Sequence, residues 1–260
     1  MRRLVIGLKL AALAAVFALI LPPHWLAIRY HWGMSRRIPV LFHRVALWVL
    51  DVRVRQVGNA PEGRPALVLS NHVSWLDIVV LGSLRPLSFV AKSEVATWPV
   101  FGLLARLQRS IFVERARKTA TGDVNATIAR RLARGELIVL FAEGTTSDGN
   151  RVLPFRAPLV GAARLALADH SLGSIDLQPL GITYTRRNGL PLTRRDRPKI
   201  AWYGDMDLLP HLGAFLMDGP ADVEVRWGEP IPFDAATDRK QAALQAEAAV
   251  RHAIAARRGT

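Results

Sequence analysis

Cysteine is absent from the 260-residue chain. That removes disulfide frameworks, thiolate zinc sites, iron–sulfur clusters and cysteine nucleophiles together. Compartment stays open, because a cysteine-free chain is compatible with either redox state. Acidic residues are scarce: 21 Asp and Glu stand against 35 Lys and Arg, a formal net charge of +14. Such an excess implies an anionic partner, whether nucleic acid, anionic membrane or acidic substrate. Internal repeats, long linkers and low-complexity tracts are also missing. What the chain has in abundance is apolar: half its residues are hydrophobic and mean hydropathy is +0.17, which excludes a disordered chain.

The longest apolar run begins after Met1, Arg2 and Arg3 and covers 4–21, interrupted only by Lys9. Pro22 and Pro23 are expected to end it. At about 1.5 Å per residue such a helix spans roughly 27 Å, slightly short of a bilayer core of about 30 Å. A cleaved signal peptide starts the same way, but Pro22, Pro23, His24 and Trp25 stand where its small-residue cleavage site belongs. An uncleaved anchor is the better reading; a buried N-terminal helix of a soluble domain is the bland one. A second segment, 38–50, carries His43, Arg44 and Trp48 and reads as a helix lying in the membrane interface. Arg29, Arg36 and Arg37 alternate with Trp25, Tyr30 and Trp32 between the two, the mixture a headgroup layer favours. Residues 1–50 are therefore expected to anchor a single domain over 51–260.

That domain alternates short apolar runs with helical stretches. Strands are expected at 66–70, 87–91, 137–142 and 177–184, and helices at 123–134 and 236–258. The interleaving predicts an α/β fold, a single layered domain with a largely parallel sheet, preceded by the N-terminal membrane helix.

Polar chemistry gathers where these strands end. After 66–70 comes Asn71-His72-Val73-Ser74-Trp75-Leu76-Asp77. His72 and Asp77 would point about 140° apart on one regular helix. They meet only if His72 sits in the turn before a helix and Asp77 reaches back from inside it. Asp77 would then hold one imidazole nitrogen and leave the other as a general base. An Asn-capped helix start with an incidental histidine is the alternative. The third strand runs into Glu143-Gly144-Thr145-Thr146-Ser147-Asp148-Gly149, with Arg151 and Arg156 following. In open α/β sheets ligands bind beyond the carboxyl ends of strands, so this turn either organises a polar headgroup or is a loop with a solvated basic face.

Two further blocks complete the pattern: Gly102 through Phe112-Val113-Glu114-Arg115, and a stretch around Pro179. In this order the four blocks resemble the glycerolipid acyltransferase family that includes the 1-acylglycerol-3-phosphate acyltransferases. The resemblance covers roughly 66–184. It implies transfer of an acyl chain from an acyl carrier protein or coenzyme A thioester to the hydroxyl of a lysolipid at a membrane surface. It implies no metal or redox cofactor and requires no acyl-enzyme; a nucleic-acid partner is not expected either, because the basic residues are spread along the chain and the apolar N-terminus would have no role. Location would be the bacterial inner membrane, with the catalytic domain facing the cytoplasm. Carried over by motif, His72 is the base and Asp77 its orienting partner. Arg115 would contact the acceptor headgroup, and Glu143, Gly144, Thr145 and Thr146 would line its site, with Arg151 and Arg156 as further headgroup contacts.

One departure bears on the acceptor. Family members acting on phosphate-bearing acceptors usually carry Arg directly after Glu-Gly-Thr, and here the residue is Thr146. The run from Thr145 to Phe155, and Trp202-Tyr203-Gly204-Asp205-Met206 with Pro210 and His211 beyond, look more like the lyso-ornithine lipid acyltransferase branch. Ornithine lipid has no phosphate, which fits the missing guanidinium. Lyso-ornithine lipid is the favoured acceptor, with lysophosphatidic acid the alternative or a second substrate. A serine lipid hydrolase is a distant third reading: Ser70 and Ser74 flank His72, but the chain has no Gly-x-Ser-x-Gly elbow.

Overall fold

Pro22 and Pro23 do not stop the first helix. In the computed structural model, which describes residues 2–62, 65–113, 120–168 and 173–258, helix α1 runs Arg2–Arg29 with both prolines inside it. Each proline removes an N–H donor and crowds the preceding turn. The far end holds because it is docked: Ala27 is buried, and the His24 ring contacts the Leu107 carbonyl through Nε2 at 3.0 Å. The stretch Leu4–Arg29 is long and apolar enough to cross a membrane, and its most apolar window is unburied in the protein.

Helix α2 (Met34–Val49) folds back along α1, tied by Lys9 to Asp51 at 2.8 Å and by Phe17 against Phe42. It starts four residues before the expected interfacial segment. Val40, His43, Ala46 and Leu47 form its buried stripe, while Leu41 and Trp48 are exposed. The stripe packs on α3 (Leu76–Leu84). Gly82 makes that approach feasible, since a Cβ there would lie 2.4 Å from the His43 ring.

Strands β1 (Val52–Val57), β2 (Ala66–Ser70), β3 (Ser88–Lys92) and β4 (Ile111–Val113) come first, with a 3₁₀ turn at Ser93–Thr97 and α4 (Phe101–Leu107) before β4. Then follow α5 (Ala120–Ala133), β5 (Ile138–Phe141), α6 (Ala157–Ala168), β6 (Ile175–Arg187) and β7 (Leu190–Pro191). The chain closes with α7 (Arg197–Ile200), α8 (Leu208–Asp218), β8 (Ala221–Trp227), β9 (Ile231–Phe233) and α9 (Arg239–Arg258). All nine described strands join one sheet, ordered β1-β8-β6-β2-β5-β3-β4, with β7 and β9 paired to β6. The centre is parallel, as expected; β6 turns antiparallel toward β7, β8 and β9.

Both faces of the sheet are covered, and the period-2 alternation of strand side chains sorts the core into two halves. Val68 and Val139 face the half built with α3 and α8, alongside Leu76, Val80 and Phe215. Leu67, Leu69, Ile138 and Leu140 face the half built with α5, α6 and α9, alongside Leu132, Val160 and Ala246. In register, Ser70 of β2 sits beside Phe141 of β5. His72 and Glu143 therefore leave the sheet side by side, at the carboxyl ends of adjacent parallel strands.

Candidate active site

His72 lies in the turn between β2 and α3, and Asp77 in the first turn of α3. The fully buried Asp77 carboxylate reaches back, with Oδ2 at 2.8 Å from His72 Nδ1. The same oxygen accepts the backbone N–H groups of Val73 at 2.7 Å and Ser74 at 3.0 Å. Oδ1 accepts the Tyr184 hydroxyl at 2.7 Å. A carboxylate surrounded by donors is an acceptor only, so Nδ1 carries the proton and Nε2 keeps its lone pair. The ring plane is set from its face as well: His72 stacks on Phe141 at 3.7 Å with 9° between planes, and Phe141 stacks on Phe89 behind it.

Tyr184 belongs to β6, whose central position brings it under Asp77. Burial and the adjacent Asp77 charge push its phenol well above the ordinary value of 10, so it stays a neutral donor. Asn71 ties the same strand to the turn: its amide donates to Ile182 O at 3.0 Å and accepts Ile182 N–H at 2.8 Å. The turn is held from outside by Trp202 N–H on Val73 O and Ser147 N–H on His72 O.

Glu143 is buried, with its carboxylate engaged by backbone instead of facing open space. Oε1 accepts Leu153 N–H at 3.0 Å and Oε2 accepts His72 N–H at 3.4 Å, so it braces the histidine turn against the following loop. Burial pushes this carboxyl up to about 8; the two N–H bonds oppose the rise and the carboxylates of Asp77 and Glu247 add to it. Between about 4.5 and 8 the folded state holds a proton on Glu143 that the unfolded chain has lost, so this group makes stability fall as pH rises through that window. The expected result is a melting temperature that declines from pH 5 to 8 in the wild type and is flatter in Glu143→Gln, measured by thermal unfolding across pH. Equal slopes in the two proteins would remove Glu143 as the cause.

The remaining predicted residues surround this turn. Gly144 adopts φ +74°, and the Arg156 side chain crosses it so closely that a Cβ would meet Cδ and Nε at 3.0 Å. Thr145 is exposed, Thr146 half-buried, and Arg151 and Arg156 are exposed. Phe155 N–H donates to Glu247 of α9 at 2.7 Å, which pins the end of this loop. Glu114 and Arg115 lie outside the described residues. Ser70 Oγ donates to Asn71 O, and the buried Ser74 Oγ has no partner among the described residues. Neither serine is bonded to His72, so the arrangement is not that of a hydrolase nucleophile. No cluster of three metal-ligating side chains occurs among the described residues.

Tyr184, Phe141 and Phe89 were not foreseen as part of the site. The signal for Tyr184 was a lone phenol at the end of the expected strand 177–184, where a buried hydroxyl requires a partner. Nothing in spacing alone links it to Asp77.

Residues 51–183 match the acyltransferase family model. A lyso-ornithine lipid O-acyltransferase from Brucella abortus is 48% identical over 95% of this chain and 92% of its own length. A 1-acyl-sn-glycerol-3-phosphate acyltransferase from Neisseria gonorrhoeae is 35% identical over 49% of this chain and 50% of its own. The crystal structure of the 1-acyl-sn-glycerophosphate acyltransferase from Thermotoga maritima superposes with a TM-score of 0.67 at 20% identity, over 100% of this chain and 99% of that one, and so has the same fold. The chain belongs to the acyltransferase family, among the lysolipid enzymes that place an acyl group on an alcohol.

Proposed function

We propose that this enzyme esterifies lyso-ornithine lipid, using His72 as general base and an acyl carrier protein or coenzyme A thioester as donor. His72 Nε2 removes the proton from the acceptor hydroxyl while that oxygen attacks the thioester carbonyl. The C–O bond forms, the C–S bond breaks, and the imidazolium returns its proton to the leaving thiolate. Asp77 stabilises the imidazolium through Nδ1. The observation that carries this reading is the 2.8 Å contact between His72 Nδ1 and Asp77 Oδ2, at the strand ends where an α/β sheet binds its ligands.

The acceptor assignment rests on two supports: Thr146 in place of a phosphate-pairing guanidinium, and the 48% identity to a lyso-ornithine lipid enzyme over most of its length. The net charge of +14 suits an acidic carrier protein as donor. Helix α1 fits attachment to the bacterial inner membrane, with the catalytic domain on the cytoplasmic side where acyl thioesters are made.

A competition on membranes carrying the protein tests the acceptor. Lyso-ornithine lipid and lysophosphatidic acid are offered together with a labelled acyl thioester, against a His72→Ala control. Label is expected in ornithine lipid first. Label in phosphatidic acid first would mean that other arginines hold a phosphate and that the altered third block does not set the acceptor.

A further inference from the structure

A cavity lies at the opposite pole from His72, where β3 and β5 begin. It measures about 580 Å³, within the size range of small-molecule sites. Arg36, Arg85 and Arg109 line it together with Glu62, Glu136 and Gln108. The cluster is over-supplied with positive charge. Arg36 Nη2 at 3.3 Å and Arg109 Nη2 at 2.9 Å converge on one oxygen, Oε1 of the buried Glu136. One carboxylate cannot neutralise two guanidiniums. Arg131 stands behind, bonded to Ser88 Oγ at 3.3 Å and to the Arg109 carbonyl, with Arg134 near enough to repel it. Arg85 is fixed by a 3.1 Å bond to Pro61 O, a single contact among the described residues for a guanidinium that carries five N–H donors.

Two further features mark this as a built cleft. Arg109 is held at φ +58°, a left-handed conformation that is costly for a side chain with a Cβ, and the tertiary structure sustains it. Ser35, Arg36 and Pro39 at the start of α2 line one side of the cleft, and Trp32 and Met34 just before them in the chain are exposed, as are Trp25 and Tyr30. Exposed aromatics of this kind settle at the headgroup level of a bilayer.

We propose that this cleft is a second binding site, distinct from the catalytic centre, for a phosphate-type anion held by Arg36, Arg85 and Arg109. Converging guanidinium forks match the several oxygens of a phosphate group. The anion has two sources, a phospholipid headgroup at the rim or a free phosphate in solution.

The test uses the full-length protein in nanodiscs of pure phosphatidylcholine, with thermal unfolding as readout. One arm replaces part of the lipid with phosphatidylglycerol; the other adds inorganic phosphate to the phosphatidylcholine discs. An anion bound only by the folded state is expected to raise the melting temperature by roughly 5 °C when well above its dissociation constant. The rise should persist in Arg53→Gln, an exposed charge on β1 far from the cleft in sequence, and be largely lost in the Arg36→Gln/Arg85→Gln double variant. A rise with phosphatidylglycerol alone identifies a lipid headgroup; a rise in both arms means a free phosphate also enters. No rise in either arm, or an equal rise in the double variant, overturns the proposal. Acyl transfer in pure phosphatidylcholine reports folding and should be unchanged. If the double variant fails to fold, Arg85→Gln carries the test with a partial loss, because it leaves both arginine contacts to Glu136 intact; a full rise in that variant would be equally fatal.

Discussion

Replacing His72 with alanine is expected to lower acyl transfer by about a hundred- to ten-thousand-fold, the range a positioned general base supplies. The fold should survive. The imidazole is partly exposed, its side chain showing 16% of its surface; besides the stack on Phe141 it gives up the Nδ1 bond to Asp77, whose carboxylate keeps the Val73, Ser74 and Tyr184 donors. Losing that stack costs about 1 kcal/mol. The His72 backbone keeps its N–H bond to Glu143 and its carbonyl bond from Ser147, so the turn itself is retained. Residual turnover would come from holding thioester and hydroxyl together, which is independent of the base. Labelled acyl incorporation, paired with a thermal melt, separates the two effects. Wild-type turnover in a folded His72→Ala protein would end the general-base mechanism.

Much of the geometry behind this expectation is legible in the chain. The strand at 66–70 is reproduced residue for residue, because its five positions are apolar or small and both faces are buried. The five-residue separation of His72 and Asp77 demanded a turn followed by a helix, and α3 starts at Leu76. The strands at 87–91, 137–142 and 177–184 and the helices at 123–134 and 236–258 shift by a few residues at their ends, where the chain frays into turns. The first helix was misjudged because Pro22 and Pro23 are local stop signals, whereas the docking of His24 and Ala27 that carries the helix past them is tertiary. The edge strands β1 and β4, and β8 beside β1, escape a reading of the sequence for a related reason. Val52–Val57 alternates with Arg53 and Arg55, and only pairing with Ala221–Trp227 makes a strand of it.

Glu143 illustrates the limit most sharply. Its place after a strand and before glycine left two readings open, a carboxylate organising a polar headgroup or a residue of a plain loop. Register instead puts it beside the His72 turn, where two backbone N–H groups claim its oxygens. Sequence separation of 71 residues hides that contact, as a separation of 107 hides Tyr184 from Asp77. The site is thus readable where it is local and opaque where the sheet order closes it.

Asp77→Asn is the second large effect, and its cause is specific. All four polar neighbours of this carboxylate donate to it, three of them to Oδ2. The amide of asparagine can satisfy only one side as acceptor. With its oxygen in the Oδ2 position it still receives Val73, Ser74 and His72, while its NH₂ meets the Tyr184 hydroxyl, which can turn to accept. The reverse orientation would aim NH₂ at two peptide N–H groups and at Nδ1–H, so the backbone selects the first. The protein is therefore expected to fold with its histidine tautomer kept and to lose the negative charge that stabilises the imidazolium. In the serine-protease triad the same carboxylate-to-amide change costs about ten-thousand-fold, there through the wrong tautomer. Here roughly a hundred- to thousand-fold loss in turnover is expected from the charge alone, with a small change in melting temperature. Asp77→Ala should differ in kind, because it leaves two buried N–H groups and a phenol unpaired at about 1–3 kcal/mol each, enough to unfold a marginal domain. Tyr184→Phe, which removes a single neutral donor and leaves the charge, should cost less than about tenfold in turnover. Turnover and melting temperature across the three variants give the ranking. Near-normal turnover in Asp77→Asn would mean that His72 works without a charged partner, and the 2.8 Å contact would then position the ring and nothing more.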